Sequence, residues 1–408
     1  MRIVITNAVL SNAGDGAIFE SIVHAIRRVN NGGRAEIVVF DGNEKNTSLL
    51  YPQFDIRQQY IVPTSNRKIV KRLTQLRRYA MLLFLAYVPL SQRVAKLVMR
   101  VASGPLSQMV KVYSEADIVI SSGGTYLVDH YRFTPRVWEL ILAKKLSGGR
   151  LVLWTQSMGP FDSVVKRLSM RSLARRVDNA YFRDERSLRA WNRISHRSSA
   201  DTDILPDSVF GLRTFAQRIN EELRIDFVGE ILVSVREWHQ GLNGERLDFE
   251  QYSSAILECV QVVRSLNFEP VAVSTCQGVD GYSVDDSDTA SQILSGQGVV
   301  ILDGHYSPEA LIDLIKHARF VITTRMHMAI LALICQVPVF AVAYENKTID
   351  LFRGLGLEKF VVEIEHFDDK WVRNNFPGIV QDIQSSVLAS SVLSDLERRA
   401  ILPARDLA

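Results

Sequence analysis

The stretch FVITTRMHMAILALICQVPVFAVAYENKTIDLF, residues 320–352, decides the fold. Two short apolar runs, FVIT (320–323) and VPVFAVA (337–343), flank a helical stretch at 326–335. Strands that are apolar at nearly every position are buried on both faces, and such strands belong to parallel sheets covered by helices. Working outward, the same alternation fills the chain. Further strands are predicted at ILVSVRE (231–237), PVAVST (270–275) and GVVIL (298–302), with helices at 251–266 and 308–317. Toward the N-terminus come MRIVIT (1–6), EIVVF (36–40), DIVIS (117–121), LVLWTQ (151–156) and NAYF (179–182). At 15–29, Ile18, Phe19, Ile22, Val23, Ile26 and Val29 recur at helical spacing. The two strand groups separate near 203–229, where DILPDSVFGL precedes a polar stretch. The expectation is an α/β protein of two Rossmann-like domains facing a cleft, 1–210 and 211–380, with a helical tail at 381–408.

Composition narrows the class. With 47% hydrophobic and 23% charged residues, the chain is neither disordered nor collagen-like nor a coiled coil. Cys259, Cys276 and Cys335 are scattered and contain no Cys-x-x-Cys pair. They argue against a disulfide framework and a zinc knuckle, and favour a reducing, cytoplasmic compartment. The N-terminus MRIVITNAVLSNAGDG lacks the charged and apolar regions of a signal peptide and reads as a first strand.

The net charge of +3 hides an asymmetry, because no acidic residue occurs between Asp55 and Glu115 while eleven basic ones do, within 57–111. Inside that segment lies YAMLLFLAYVPL (79–90), too short for a bilayer span of about 20 residues. It reads either as a core-packed helix with solvated basic flanks or as an interfacial segment giving peripheral membrane contact through 67–100. Nucleic acid is not expected as a partner, since the basic residues are confined to one segment without a recognised motif.

Ligands of open α/β sheets bind beyond the C-terminal strand ends, so those loops hold the candidates. After the first strand come Asn12, Gly14 and Asp15, where backbone N–H groups at a helix start suit an anion or sugar hydroxyl and Asp15 equally suits an N-cap. After the third come Gly123, Gly124 and Asp129, and paired glycines suit close ligand approach or a tight turn. Arg183-Asp184-Glu185-Arg186-Ser187 reads by itself as a surface ion-pair cluster. Arg236 ends ILVSV, Arg325 and His327 follow FVIT, and Lys347 follows VPVFAVA. Arg325 and His327 converge only if Arg325 sits in the turn before the helix. Such a gathering of cations points to a polyanionic ligand. Asp285, Asp286 and Asp288 read as a solvated turn rather than a cation site, and no metal or cofactor is called for.

These residues resemble the polysaccharide pyruvyl transferase family, most closely the colanic-acid biosynthesis type. The resemblance is carried by NAGDGAI, SSGGTYLVDHY, TQSMGPF, YFRDERS, LVSVREW, STCQGVDGY, TTRMHMAIL and AYENKTIDLF, in family order over most of the chain. Two glycines stand where a triple glycine is common elsewhere in the family. The resemblance implies a GT-B-like fold and transfer of a pyruvyl group from phosphoenolpyruvate to a sugar, as a cyclic ketal with release of phosphate. The family's Arg-x-His element falls on Arg325 and His327, its later lysine on Lys347, and its Arg-Asp-x-x-Ser arginine on Arg183. His327, with Arg325 beside it, is then the catalytic candidate and the general acid. Arg183, Arg236 and Lys347 bind the donor. Asn12, Asp15, Gly124 and Asp129 meet the acceptor, a sugar of an exopolysaccharide or of its lipid-linked repeat unit at the inner membrane face. Two other readings share these features. One is a GT-B-type glycosyltransferase using a nucleotide-sugar, with Glu345 recognising the ribose; the other is a non-catalytic membrane scaffold resting on 57–111.

Overall fold

The computed structural model describes residues 1–29, 35–62, 68–88, 104–129, 131–195, 200–219, 230–239, 242, 247–276 and 285–407. The chain forms two compact units. One comprises Met1–Leu10, Ile18–Ser208 and Arg399–Ala408, and the other Ser11–Ala17 and Val209–Arg398. The break between Ser208 and Val209 lies beside the expected boundary, but two segments cross it. The loop after the first strand belongs to the second unit, and the last ten residues belong to the first.

The first unit contains β1 (Arg2–Ala8), β2 (Glu36–Asp41), β3 (Asp55–Gln58), β4 (Ile118–Ser121), β5 (Gly124–Leu127), β6 (Arg150–Met158), β7 (Asn179–Phe182) and β8 (Asp201–Ile204). They form one parallel sheet in the order β3-β2-β1-β4-β6-β7-β8, with β5 alongside the end of β6. In register, Ile3 lies opposite Ile37 on one side and Ile118 on the other. Ile3, Val4 and Ile5 are wholly buried, as are Val38, Val39, Phe40, Val119 and Ile120. Burying each such side chain favours folding by about 1.5–3 kcal/mol, which is why continuous apolar runs become inner strands.

The second unit contains β9 (Ile231–Ser234), β10 (Pro270–Val273), β11 (Val300–Leu302), β12 (Phe320–Thr323), β13 (Val339–Ala343) and β14 (Val361–Glu363). Their parallel order is β11-β10-β9-β12-β13-β14. Val321 stands opposite Leu232 and Val339, so β12 is central. Each sheet reverses its strand order at its first strand, between β1 and β4 and again between β9 and β12. Crevices open at such reversals beyond the strand ends. The parallel α/β architecture is as the apolar runs predict.

Helix starts follow side-chain caps. Ser163, Asp184, Asp248, Ser307 and Asp368 each accept a hydrogen bond from a first-turn N–H. The helix expected at 15–29 begins earlier, at Ala13, because Asn12 Oδ1 accepts from Gly14 N at 2.9 Å. Asp15 is therefore a first-turn residue and not the cap. The 79–87 part of the apolar run is the end of a longer helix, Lys68–Tyr87; residues 89 and 90 of the run, and residues 67 and 89–100 of the expected membrane-contact segment, lie outside the described residues.

Candidate functional site

At the strand-order reversal of the second sheet, the ends of β9, β12 and β13 lie side by side. Thr324 N donates to Ser234 O at 2.9 Å, which ties the first two loops together. Thr324 Oγ1 shares a 2.7 Å hydrogen bond with Tyr252 OH, and burial pushes the Tyr252 pKa up. Arg236, just beyond β9, rests against a packed pair of rings, Trp238 and Tyr344, whose centroids are 4.6 Å apart. Its guanidinium carbon lies 4.6 Å from the Trp238 centroid and 4.7 Å from that of Tyr344, and Nη1 donates to Tyr344 OH. Cation–π contact on two rings fixes a long side chain that would otherwise sample many rotamers. Its Nε is buried without a hydrogen-bond partner among the described residues.

Arg325 adopts an extended conformation (φ −103°, ψ 115°) immediately before the helix Met326–Ile334. The turn position that convergence with His327 requires is thus met. The guanidinium, however, is not an open cation. Nε donates to Asp286 Oδ2 at 2.9 Å and Nη2 pairs with Oδ1, with both residues buried. Burial works against the Arg325 charge, and the Asp286 carboxylate more than offsets it, so the guanidinium pKa is raised. Asp286 also accepts from Thr275 Oγ1 at 3.0 Å. Of the acidic trio only Asp288 is exposed to solvent: Asp285 caps the helix Asp286–Leu294, and Asp286 is an interior counter-ion.

His327 is half-buried in the first turn of its helix. The segment Ser11–Ala17, expected on the N-terminal side, lies in the same unit as His327. Ala13 N donates to Thr275 O at 3.0 Å, and Asn12 forms a β-bridge with Cys276. Gly14 then abuts the imidazole, for a Cβ built there would overlap Nδ1, with Cγ and Cβ of His327 at 3.0 and 3.1 Å. Lys347, in the first turn of Asn346–Gly354, pairs with Glu345 at 2.5 Å and is one-fifth exposed. Arg236, Arg325, His327 and Lys347 therefore share one end of one sheet, joined by Asn12 and Asp15.

The other expected residues lie in the first unit. Arg183 is not part of a surface cluster. It donates from Nη1 to Asp207 at 2.6 Å and from Nε to Ser157 Oγ at 2.7 Å, while Nη2 is buried without a partner among the described residues. Ser157 in turn donates to Asp184, the cap of the following helix. Gly123 packs where a Cβ would fall 2.8 Å from Thr155 Oγ1, and Gly124 has φ +135°, so packing demands the first glycine and backbone conformation the second. Asp129 is held by Lys166 and by Asp162 N, which fits a loop tie better than an open sugar ligand. Trp238, Tyr344 and Tyr252 have no role in the sequence reading, and Asp286 has only that of a solvated turn. Trp238 carried the one available signal, an aromatic two residues after a strand-end arginine. Among the described residues, no group of three His, Cys, Asp or Glu could hold a metal ion.

Comparison with known proteins agrees with the fold. The structure resembles UDP-GlcNAc 2-epimerase from Methanocaldococcus jannaschii, with TM-score 0.56 and 10% identity over 100% of this chain and 99% of that one. Anabaena Alr3699/HepE, solved with UDP and glucose, gives TM-score 0.51 and 13% identity over 100% and 98%. At such identities the likeness establishes the two-unit fold. The amylovoran biosynthesis protein AmsJ of Erwinia amylovora is 24% identical over 417 aligned positions, covering 96% of this chain and 97% of the relative. The model of the polysaccharide pyruvyl transferase family matches residues 12–346, from the loop against His327 to the residue before Lys347. On that match, which covers most of its length, the chain belongs to the polysaccharide pyruvyl transferase family.

Proposed function

We propose that the protein transfers a pyruvyl group from phosphoenolpyruvate to a sugar of an exopolysaccharide or its lipid-linked repeat unit, at the cytoplasmic face of the membrane. The observation that carries this reading is the row of Arg236, His327 and Lys347 at the ends of β9, β12 and β13, three hydrogen-bonded neighbours. Phosphoenolpyruvate places a phosphate and a carboxylate close together. Arg236, pre-set against its ring pair, and Lys347 supply cations for them. Arg183, which the family motif also marks, has two of its nitrogens committed to Asp207 and Ser157, so the Arg183→Ala variant decides its part in donor binding.

Arg325 is reassigned to positioning. Its charge is answered by Asp286, and the pair holds the turn from which His327 projects. His327 protonates the vinyl carbon, and a sugar hydroxyl bonds to the adjoining carbon that bears the phosphate. A second hydroxyl then displaces phosphate from that carbon and closes the ketal. Of the two hydroxyl protons, one restores His327 and the other leaves with phosphate. Asn12 and Asp15 are assigned to the acceptor, since their loop packs beside the acid.

The test supplies phosphoenolpyruvate with oligosaccharides whose acid-labile pyruvate ketals have been hydrolysed. Phosphate release with ketal formation is expected, and His327→Ala should slow it about 10²–10⁴-fold. Release of UDP or GDP from a nucleotide-sugar, with no phosphate from phosphoenolpyruvate, would replace this reading with glycosyl transfer.

A further inference from the structure

We infer that the helix Lys68–Tyr87 lays an apolar stripe onto an anionic lipid surface, and that Arg72 and Arg77, which border the stripe, complete the contact. The helix is firmly built into the first unit by one side. Leu82, Leu85 and Ala86 are buried in the core, packed toward the helix Thr134–Ser147. Lys145 of that helix caps the carbonyls of Leu85, Ala86 and Val88 at 3.2, 2.9 and 2.7 Å. Arg78 donates to Tyr60 O and Val62 O at 2.9 and 2.8 Å and stacks over the Tyr60 ring.

The opposite side is apolar as well. Ile69, Leu73, Leu76, Leu83, Phe84 and Tyr87 recur at helical spacing along one outward line, and Leu73, Leu76 and Phe84 are 64%, 67% and 58% exposed. Contiguous apolar stripes of this kind mark an interaction surface on a water-soluble fold. Exposed Arg72 and Arg77 flank the stripe on its two sides, and Lys71 lies beyond. A second helix on Thr134–Ser147, Val164–Ala174, exposes Val164, Val165 and Leu168 beside Arg171.

Charge selects the occupant. The 56–114 segment contains no acidic residue, so a second copy would bring two strongly basic faces together, whereas an anionic bilayer complements both the charge and the apolar line. Among the described residues no helix is long and apolar enough to cross a membrane, and a helix of this pattern lies in the interface plane instead. The inference goes beyond the proposed reaction and does not depend on it.

Co-sedimentation of the full chain with vesicles of phosphatidylcholine, alone or mixed with phosphatidylglycerol, tests it. Binding to the mixed vesicles should exceed binding to neutral ones by about tenfold or more and weaken with added salt. The variant Leu73→Ser/Leu76→Ser/Phe84→Ser and, separately, Arg72→Glu/Arg77→Glu should lose that binding. Both should keep the wild-type circular dichroism and the wild-type melting temperature. The proposal is overturned if the wild type stays in the supernatant or the triple-serine variant sediments like the wild type. It is likewise overturned if the wild type is a dimer that the triple variant makes monomeric.

Discussion

At position 14 the side chain has to be a single hydrogen. The loop Ser11–Ala17 is pinned by Ala13 N to Thr275 O and by the Asn12–Cys276 bridge, so it cannot back away from His327. A methyl group at Gly14 must therefore move the imidazole. Alanine in a helical first turn is otherwise favourable, by up to about 1 kcal/mol over glycine. Gly14→Ala is thus expected to leave the melting temperature near wild type while lowering kcat about a hundredfold or more, approaching His327→Ala. Steady-state kinetics beside a thermal melt would show it, and near-normal turnover would mean that the imidazole's position is immaterial. The sequence reading marked Asn12, Asp15 and His327 but not this contact. Its two halves are far apart along the chain, and nothing in NAGDG states which surface the small residue faces.

Between elements, the decisive link is the pair Asp286–Arg325, which joins the start of the helix Asp286–Leu294 to the turn before Met326–Ile334. Removing one partner leaves the other charged and buried. Asp286→Ala should cost about 3–5 kcal/mol in urea unfolding, far beyond a surface charge deletion. Replacing both with apolar residues, Arg325→Met with Asp286→Leu, should recover much of that stability. Turnover should stay low in the double variant, because the turn that carries His327 has lost its polar anchor. Full activity in the stable double variant would refute the positioning role. Inner strands such as NAYF and FVIT were legible from the sequence because burial on both faces demands an apolar run. Edge strands answer to a weaker demand. DIRQ at β3 and DTDI at β8 pair on one side only and carry a single apolar residue each, so no apolar run announces them. The same limit hid the Asp286 partnership, since an acidic cluster reads as solvated until the opposing arginine is placed.

Across the whole molecule, both sheets reverse strand order at their first strand, yet their polar strand ends differ. In the first unit Arg183 is committed to Asp207 and Ser157, and Asp129 to Lys166. In the second, Arg236 rests against rings without a carboxylate partner among the described residues, and Lys347, though paired with Glu345, stays one-fifth exposed. A small dianion should therefore engage the second unit most strongly. At about 100 times its Kd, phosphoenolpyruvate should stabilise the binding unit by about 2.7 kcal/mol, a rise of about 5–10 °C in melting temperature. Hydrogen exchange on the intact protein should slow at 235–238, 324–328 and 344–348. The shift should shrink in Arg236→Ala and Lys347→Ala, and a comparable loss in Arg183→Ala would add Arg183 to the donor ligands. Protection confined to the loops after β4, β6 and β7 would assign the donor to the first unit. That outcome would remove the link between the cations of β9, β12 and β13 and the reaction.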